Sequence, residues 1–471
     1  MRRSLVIALP LSILCACYDQ PDSPQTGGET EADSSGGSSG TSPTSGNTTP
    51  GTTEPTTTSS MTTSMSTSEP TSTSPTTTQA DSSDGSSSAD TGETTTGPEP
   101  VCGDGNADAG EVCLPDMGEV FNVGIGAFDV AIADIDGVGL DIITLNRMAS
   151  TVSVLRNDGT GGFGNAESHT VGDGSCRIRA VDGDADGHID LVVSGDPIVT
   201  LVNDGTGDFD RNDAPFSAGG FGGCSEVHSL DTLQNGGGPI DIVYSGEYNN
   251  TFATGIDPVG GWTFGMGTSS IDPAGEGSAG VTVTLLGWDG DAFQDVIVLN
   301  KYSDTGSIWR GNGAGDFTVA STYSPCAMIE SSGSAHAAAG DLDSDGEIDI
   351  VSTCVTGFQD PVNQFSIAFG NGDGTYDAPI ALDTNGAIRP LVADINGDDY
   401  PDILVASTID FGVNVFVNDG AGTFGDPIAL IVGEPVWSMG TGDLNDDGAV
   451  DIVIPYDTPM GGRVAVFFAD P

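Results

Sequence analysis

Past residue 117 the chain is a string of short apolar runs set between stretches rich in glycine, aspartate and asparagine. The runs are mostly β-branched: Ile142-Ile143, Leu191-Val192-Val193, Ile242-Val243, Val296-Ile297-Val298, Ile350-Val351, Ile403-Leu404-Val405 and Ile452-Val453-Ile454. Such runs suit strands buried on both faces, and helical spacing of apolar residues is nowhere sustained. Each run follows an aspartate, at 141, 190, 241, 295, 349, 402 and 451, so successive intervals are 49, 51, 54, 54, 53 and 49 residues. A second apolar stretch leads into turns such as Asn157-Asp158-Gly159, Asn203-Asp204-Gly205 and Asn418-Asp419-Gly420, whose Asp-Gly steps supply the positive φ of tight hairpins. Four short strands per repeat, seven times over, predict an all-β chain folded as a seven-bladed β-propeller. Stacking four-stranded sheets around a ring buries both faces of each and leaves only short edges. A β-solenoid has much shorter coils, and two sandwiches would not share one continuous period. The last repeat ends one strand short, and 119–123, ahead of the first repeat, is predicted to pair with the C-terminal strand and close the circle.

The aspartate before each run also closes an acidic loop. Repeat 5 reads Asp341-Leu342-Asp343-Ser344-Asp345-Gly346-Glu347-Ile348-Asp349, with short oxygen-bearing side chains at positions 1, 3, 5 and 9 and a glycine at 6. Alternating oxygens on a tight loop can wrap one hard cation, and Ca²⁺ prefers six to eight oxygens at about 2.3–2.6 Å. The spacing recurs at Asp182, Asp184, Asp186 and Asp190, at Asp394, Asn396, Asp398 and Asp402, and at Asp443, Asn445, Asp447 and Asp451. A backbone carbonyl at position 7 (His188, Glu347, Tyr400, Ala449) would add another ligand. Repeat 4 has Gly287 at position 1 but keeps Asp289, Asp291 and Asp295, a fifth, partial site. In repeat 1, Asp134 and Asp136 reach Asp141 one residue early, and in repeat 3 Asp231 lies too far from Asp241, so neither is expected to hold a tight ion. An EF-hand is excluded, because the twelfth positions are Val193, Ser352, Ala406 and Ile454 rather than a bidentate glutamate. Carboxylates crowded without a cation repel, so calcium binding is expected to be coupled to folding.

Composition changes sharply before the repeats. Residues 18–100 are almost all Ser, Thr, Gly, Pro and scattered acids, which cannot form a core and read as a disordered tether. Residues 1–16 carry two arginines and a short apolar segment, a secretory signal. Leu14-Cys15-Ala16-Cys17 resembles a bacterial lipobox, which implies lipidation at Cys17 and an envelope protein, surface-exposed on the outer membrane and held by its lipid anchor only. The expected organisation is a signal at 1–16, a lipidated linker at 17–100, a collar at 101–117 and the propeller at 118–471. Six cysteines remain after Cys15 and Cys17, an even number that in an exported chain suggests disulfides, with fifteen connectivities open. The stretch from Cys102 to Cys113 resembles the short cysteine-bounded repeat in stalks of bacterial surface proteins, which implies a bridge between those two. In the propeller, Cys326 precedes the first strand of repeat 5 and Cys354 ends its second, the same end of an antiparallel pair. Cys176 and Cys224 both open the innermost strand of neighbouring repeats and are expected to pair on that ground.

Net charge is −58, from 69 acids against 11 bases, which argues against nucleic acid as a partner. Gly159-Thr160-Gly161-Gly162-Phe163-Gly164 matches a dinucleotide fingerprint, but it sits at a hairpin turn with no helix behind it. His169, His188, His228 and His336 show no zinc-binding spacing, and Trp262, Trp288, Trp309 and Trp437 read as packing residues before sugar platforms.

The seven spaced loops and their strands resemble the FG-GAP/VCBS family, the calcium-loop propeller repeats of integrin alpha subunits and many bacterial surface proteins. The resemblance covers about 118–471 and implies a non-enzymatic, monomeric adhesion or ligand-binding propeller. Its protein or carbohydrate ligand would lie on the face opposite the calcium loops, formed by 146–150, 194–197, 247–251, 301–305, 356–363 and 457–462. The alternatives are a calcium-dependent lectin and a propeller-type polysaccharide lyase, the latter requiring basic and histidine side chains converging at the propeller mouth.

Overall fold

The computed structural model describes residues 113–115, 117–195, 198–213, 226–230, 241–245, 251–256, 265–271, 280–286, 288–289, 291, 293–300, 304–312, 316–327, 333–356 and 360–470. The signal, the tether, the lipobox cysteine Cys17 and Cys102 lie outside them, as do Cys224, Trp262, the 247–250 and 301–303 stretches, and the acidic loop of repeat 3. All regular structure among the described residues is β-strand, arranged in seven four-stranded antiparallel sheets. Sheet n is built from repeat n, in strand order as the chain runs. Sheet 1 comprises Ala127–Ala133, Asp141–Asn146, Thr151–Leu155 and Glu167–Thr170, and sheet 6 comprises Ala387–Ala393, Asp402–Ser407, Gly412–Phe416 and Ile428–Ile431.

Sheet 7 departs from this order in the way the strand count requires. Gly440–Gly442, Asp451–Thr458 and Gly461–Phe467 are its own, and the fourth strand is Glu119–Asn122 from the other end of the chain. Glu119 faces Val466 and Asn122 faces Arg463, and Val123 N–H continues the ladder to the Gly462 carbonyl (3.1 Å).

Burial grades across sheets 1 and 6. The second strands Asp141–Asn146 and Asp402–Ser407 are buried at every residue, whereas the fourth strands Glu167–Thr170 and Ile428–Ile431 are mostly exposed. The cores lie between consecutive sheets. Ile143, Leu145 and Val152 of sheet 1 pack with Ile178, Leu191 and Val193 of sheet 2, and Leu404, Val413 and Val415 of sheet 6 pack with Ile452, Ile454 and Phe467 of sheet 7. Val453, Val464 and Val466 of sheet 7 then pack on Val130, Ile142 and Leu155 of sheet 1, so the last sheet meets the first. This explains why the apolar runs lack alternation: sheets 1, 5, 6 and 7 are covered on both faces.

Cys326 and Cys354 are bridged, with Cα atoms 6.0 Å apart, tying the chain that leaves sheet 4 to the second strand of sheet 5. Cys113 and Cys176 are also disulfide-bonded, to partners outside the described residues.

Candidate metal loops and the axial cluster

Every acidic loop joins the first strand of a sheet to its second. In the complete loops the position-1 carboxylate winds the backbone around itself. Asp341 accepts the N–H of Asp345 (3.1 Å) and of Gly346 (3.0 Å), and Asp182 and Asp443 repeat the arrangement with Asp186 and Gly187, and with Asp447 and Gly448. Asp394 does the same with Asp398 and Asp399. The tight course puts Ser344 (φ 61°) and Gly346 (φ 91°) in the left-handed region, the conformation in which glycine alone is unstrained.

This winding brings carboxylates together. Asp182, Asp184 and Asp190 each offer an oxygen within 4.8 Å of the others, as do Asp341, Asp343 and Asp349. In sheets 6 and 7 the middle position is an amide, Asn396 or Asn445, which donates to Asp398 (3.1 Å) or Asp447 (2.8 Å). The position-5 carboxylates of Asp186 and Asp345 stand outside these groups and accept the N–H of His188 and Glu347. The donor set is all oxygen, which fits a hard divalent cation and not a soft one. Asp184 and Asp343 have their pKa raised by burial and then by the neighbouring carboxylates of Asp186 and Asp345, a repulsion that a cation would remove.

Sheet 1, whose loop is not expected to hold a tight ion, carries a third such group. Asp134, Asp136 and Asp141 also converge within 4.8 Å, although their loop is one residue short. Gly137, at φ 84°, makes the turn early, and its N–H binds Asp134 (2.7 Å). In sheet 4, Asp289, Asp291 and Asp295 form no such group among the described residues, and Asp289 is ion-paired with Arg310.

Position 9 is a structural pin as well as a candidate ligand. Asp349 is fully buried; one oxygen accepts Leu342 N–H (2.7 Å) and the other Gly370 N–H (2.8 Å), joining its loop to the end of the third strand. Asp141, Asp190, Asp402 and Asp451 make the same pair of bonds, with Ile135 and Asn157, Gly183 and Asn203, Ile395 and Asn418, and Leu444 and Ala469. Burial raises the pKa of Asp141, Asp190, Asp295, Asp349 and Asp402 to about 6 and that of Asp451 to about 7, against the lowering effect of these N–H donors.

The turn asparagines extend the pin to the preceding sheet. Asn157 of sheet 1 donates its amide to Leu140 and to the Leu444 carbonyl in the loop of sheet 7 (2.6 Å). Asn203 likewise reaches Ile135 of sheet 1, and Asn418 reaches Leu342 of sheet 5, both at 2.8 Å.

The first strands begin at the end opposite the loops, and there a second constellation gathers that local spacing did not signal. Asp129 of sheet 1 is buried and accepts Arg389 Nη1 of sheet 6 (2.8 Å), Ser438 Oγ (2.8 Å) and Ile178 N–H of sheet 2 (3.1 Å), with Arg179 Nη1 at 3.6 Å. The guanidinium carbons of Arg147, Arg177 and Arg389 lie 5.1–5.5 Å from the centre of the Phe128 ring, and Trp437 stacks on that ring at 5.9 Å. Arg177 and Arg389 are buried, and Arg389 takes φ 41° at a bulge between Ile388 and Pro390. These residues come from strands far apart in sequence, so only the ring brings them together.

Three other residues, Trp288, Trp309 and His336, are engaged in packing. Trp288 Nε1 donates to the Tyr376 hydroxyl (2.8 Å), Trp309 is buried beside Ser307, and His336 is buried with Nδ1 3.1 Å from Thr353 Oγ1. A cleft of about 690 Å³ opens between sheets 4 and 5 on the loop side, lined by polar groups including Asp289, Arg310, Asn371 and Asp373 with Trp288 and Tyr376.

Residues 288–352 and 394–454 match the family FG-GAP-like repeat. A search of curated proteins finds no match. Among solved structures, the chain is similar to an Agrocybe aegerita lectin described for specific recognition of non-reducing terminal N-acetylglucosamine. The two share 20% identity over 74% of this chain and 87% of that one, with a TM-score of 0.50. At that identity the likeness speaks to fold alone. The class is therefore an all-β, propeller-type protein with FG-GAP-like repeats.

Proposed function

We propose that this chain is a seven-bladed, calcium-stiffened propeller that binds a ligand without catalysing a reaction, displayed at the bacterial cell surface through a lipid on Cys17. The observation that carries the reading is the convergence of Asp182, Asp184 and Asp190, and of Asp341, Asp343 and Asp349, at equivalent places in two sheets. The same spacing in sheets 6 and 7 extends it to four ions. Ligand binding is assigned to the face opposite the loops, where 146–150 and 457–462 flank the axial cluster. That cluster's guanidiniums are engaged with Asp129 and Phe128, which favours a structural hub over the charge-neutralising groups of a lyase. Titration of the full chain with calcium chloride by calorimetry should give four sites. Heat signals absent at millimolar calcium would overturn the reading.

A calcium-dependent lectin is the second reading, favoured by the N-acetylglucosamine-recognising structural neighbour and by the polar cleft beside Trp288. A glycan array probed in calcium and in EDTA separates the two: calcium-dependent binding to particular sugars supports the lectin, and a blank array leaves a protein ligand.

A further inference from the structure

The loops of sheets 1 and 4 share a residue that the four complete loops lack. The N–H that pins each position-9 aspartate belongs to Asn157, Asn203, Gly311, Gly370, Asn418 and Ala469 in sheets 1, 2, 4, 5, 6 and 7. The residue just before it is Val202, Phe369, Val417 or Phe468 where the loop is complete, and Arg156 or Arg310 where it is not. The slot lies against the hairpin turn of the next sheet. A Cβ added to Gly161 would meet the Phe468 ring at 3.0 Å, one added to Gly422 the Phe369 ring at 2.8 Å, and one added to Gly207 would overlap Arg156. From this slot both arginines reach the position-3 carboxylate. Arg156 Nη1 lies 3.5 Å from Asp136, with Glu167 at 3.3 Å and the Gly207 carbonyl as further partners, and Arg310 pairs with Asp289.

We propose that Arg156 and Arg310 are internal counter-ions, taking in sheets 1 and 4 the charge-neutralising place that a cation takes in sheets 2, 5, 6 and 7. A guanidinium stays protonated throughout the physiological range and offers five donors, so it neutralises carboxylates in a way no chelator can reverse. Sheets 1 and 4 thus stay closed without metal, while the other four loops exchange it. The proposal rests on the calcium reading of the complete loops.

The test installs the residue of sheet 2 in sheet 1, as Arg156→Val in the full chain. Calorimetric titration with calcium chloride should give four sites in the parent and five in R156V, where Asp134, Asp136 and Asp141 are freed. In EDTA, R156V should unfold about 2–4 °C lower, a shift expected for loss of one partly buried pair in a large domain, and adding Asp136→Asn should restore it. Arg310→Val should lose stability in EDTA without gaining a site, because position 1 of that loop is Gly287. Five or six sites in the parent, or an R156V that neither gains a site nor loses stability, would overturn the proposal. If the parent takes no calcium, the calcium reading falls by itself, and the EDTA arm still decides: rescue by D136N supports the arginine as counter-ion and no rescue refutes it. Should R156V fail to fold, the R156V/D136N chain, which removes both charges, must fold for the proposal to stand.

Discussion

At the scale of single residues, one aspartate per repeat carries two duties that other loop acids do not. Asp349 holds two backbone N–H groups, one buried and one partly buried, whereas half-buried Asp343 faces the loop. Leaving a buried donor unmet costs about 1–3 kcal/mol. Asp349→Ala should therefore lower the unfolding temperature with or without calcium. Asp343→Ala should match the parent in EDTA and lose only the calcium-dependent stabilisation, as thermal melts in both buffers would show. Protonation follows from the same burial. Burial pushes the position-9 carboxyls of the folded chain up to about 6, and that of Asp451 to about 7, well above the usual carboxylate range. A raised acid means that the folded state binds more protons, so this contribution is full below about pH 4 and is lost as pH rises through 6 to 7. Metal-free protein should accordingly melt higher at pH 5 than at pH 7.5, and saturating calcium should reverse the order because the cation favours the ionised form. Calorimetric scans at the two pH values, in EDTA and in calcium, check both signs. The position-9 aspartate was legible as a periodic mark before each apolar run. Its role as a pin was not, since the second N–H comes from 13 to 21 residues downstream, according to hairpin length.

At the scale of elements, the sheet that joins the two ends of the propeller is the informative one. Its fourth strand, Glu119–Asn122, is only four residues long and mostly exposed, yet Phe121 turns inward to meet Phe163 edge-on at 5.3 Å. Phe121→Ala should destabilise by less than the ~3–5 kcal/mol of a fully buried phenylalanine. It should also raise hydrogen exchange along Gly461–Phe467, the strand it covers; protection there unchanged from the parent would show that closure does not depend on it. Strand count alone made this pairing readable, because three strands at one end and one at the other complete a sheet. The seam of side chains was not readable, since Phe163 belongs to a turn of the first repeat.

At the scale of the whole molecule, the hub at Asp129 draws on sheets 1, 2, 6 and 7. Removing one partner of a buried ion pair strands the other, at about 3–5 kcal/mol. Asp129→Ala should lower stability by that order in chemical denaturation, and Asp129→Ala combined with Arg389→Met should recover much of it by removing the stranded charge. Equal losses in the single and double variants would show that the pair is incidental. The hub also accounts for how the few bases of a chain with 69 acids are used: Arg177 and Arg389 are buried and Arg179 half-buried, with Asp129 as the counter-charge of Arg179 and Arg389.

Period, strand order within a repeat and the convergence of oxygens in the loops of sheets 2 and 5 were determined by sequence alone. Each depends on residues within one hairpin, where glycine and aspartate leave a fixed spacing. Which sheet faces which, how the asparagines and arginines reach neighbouring loops, and the meeting of Asp129 with Arg389 were decided only by tertiary structure. The Asp129–Arg389 contact joins residues 260 positions apart, and no local pattern can encode a distance that exists only once the ring has closed.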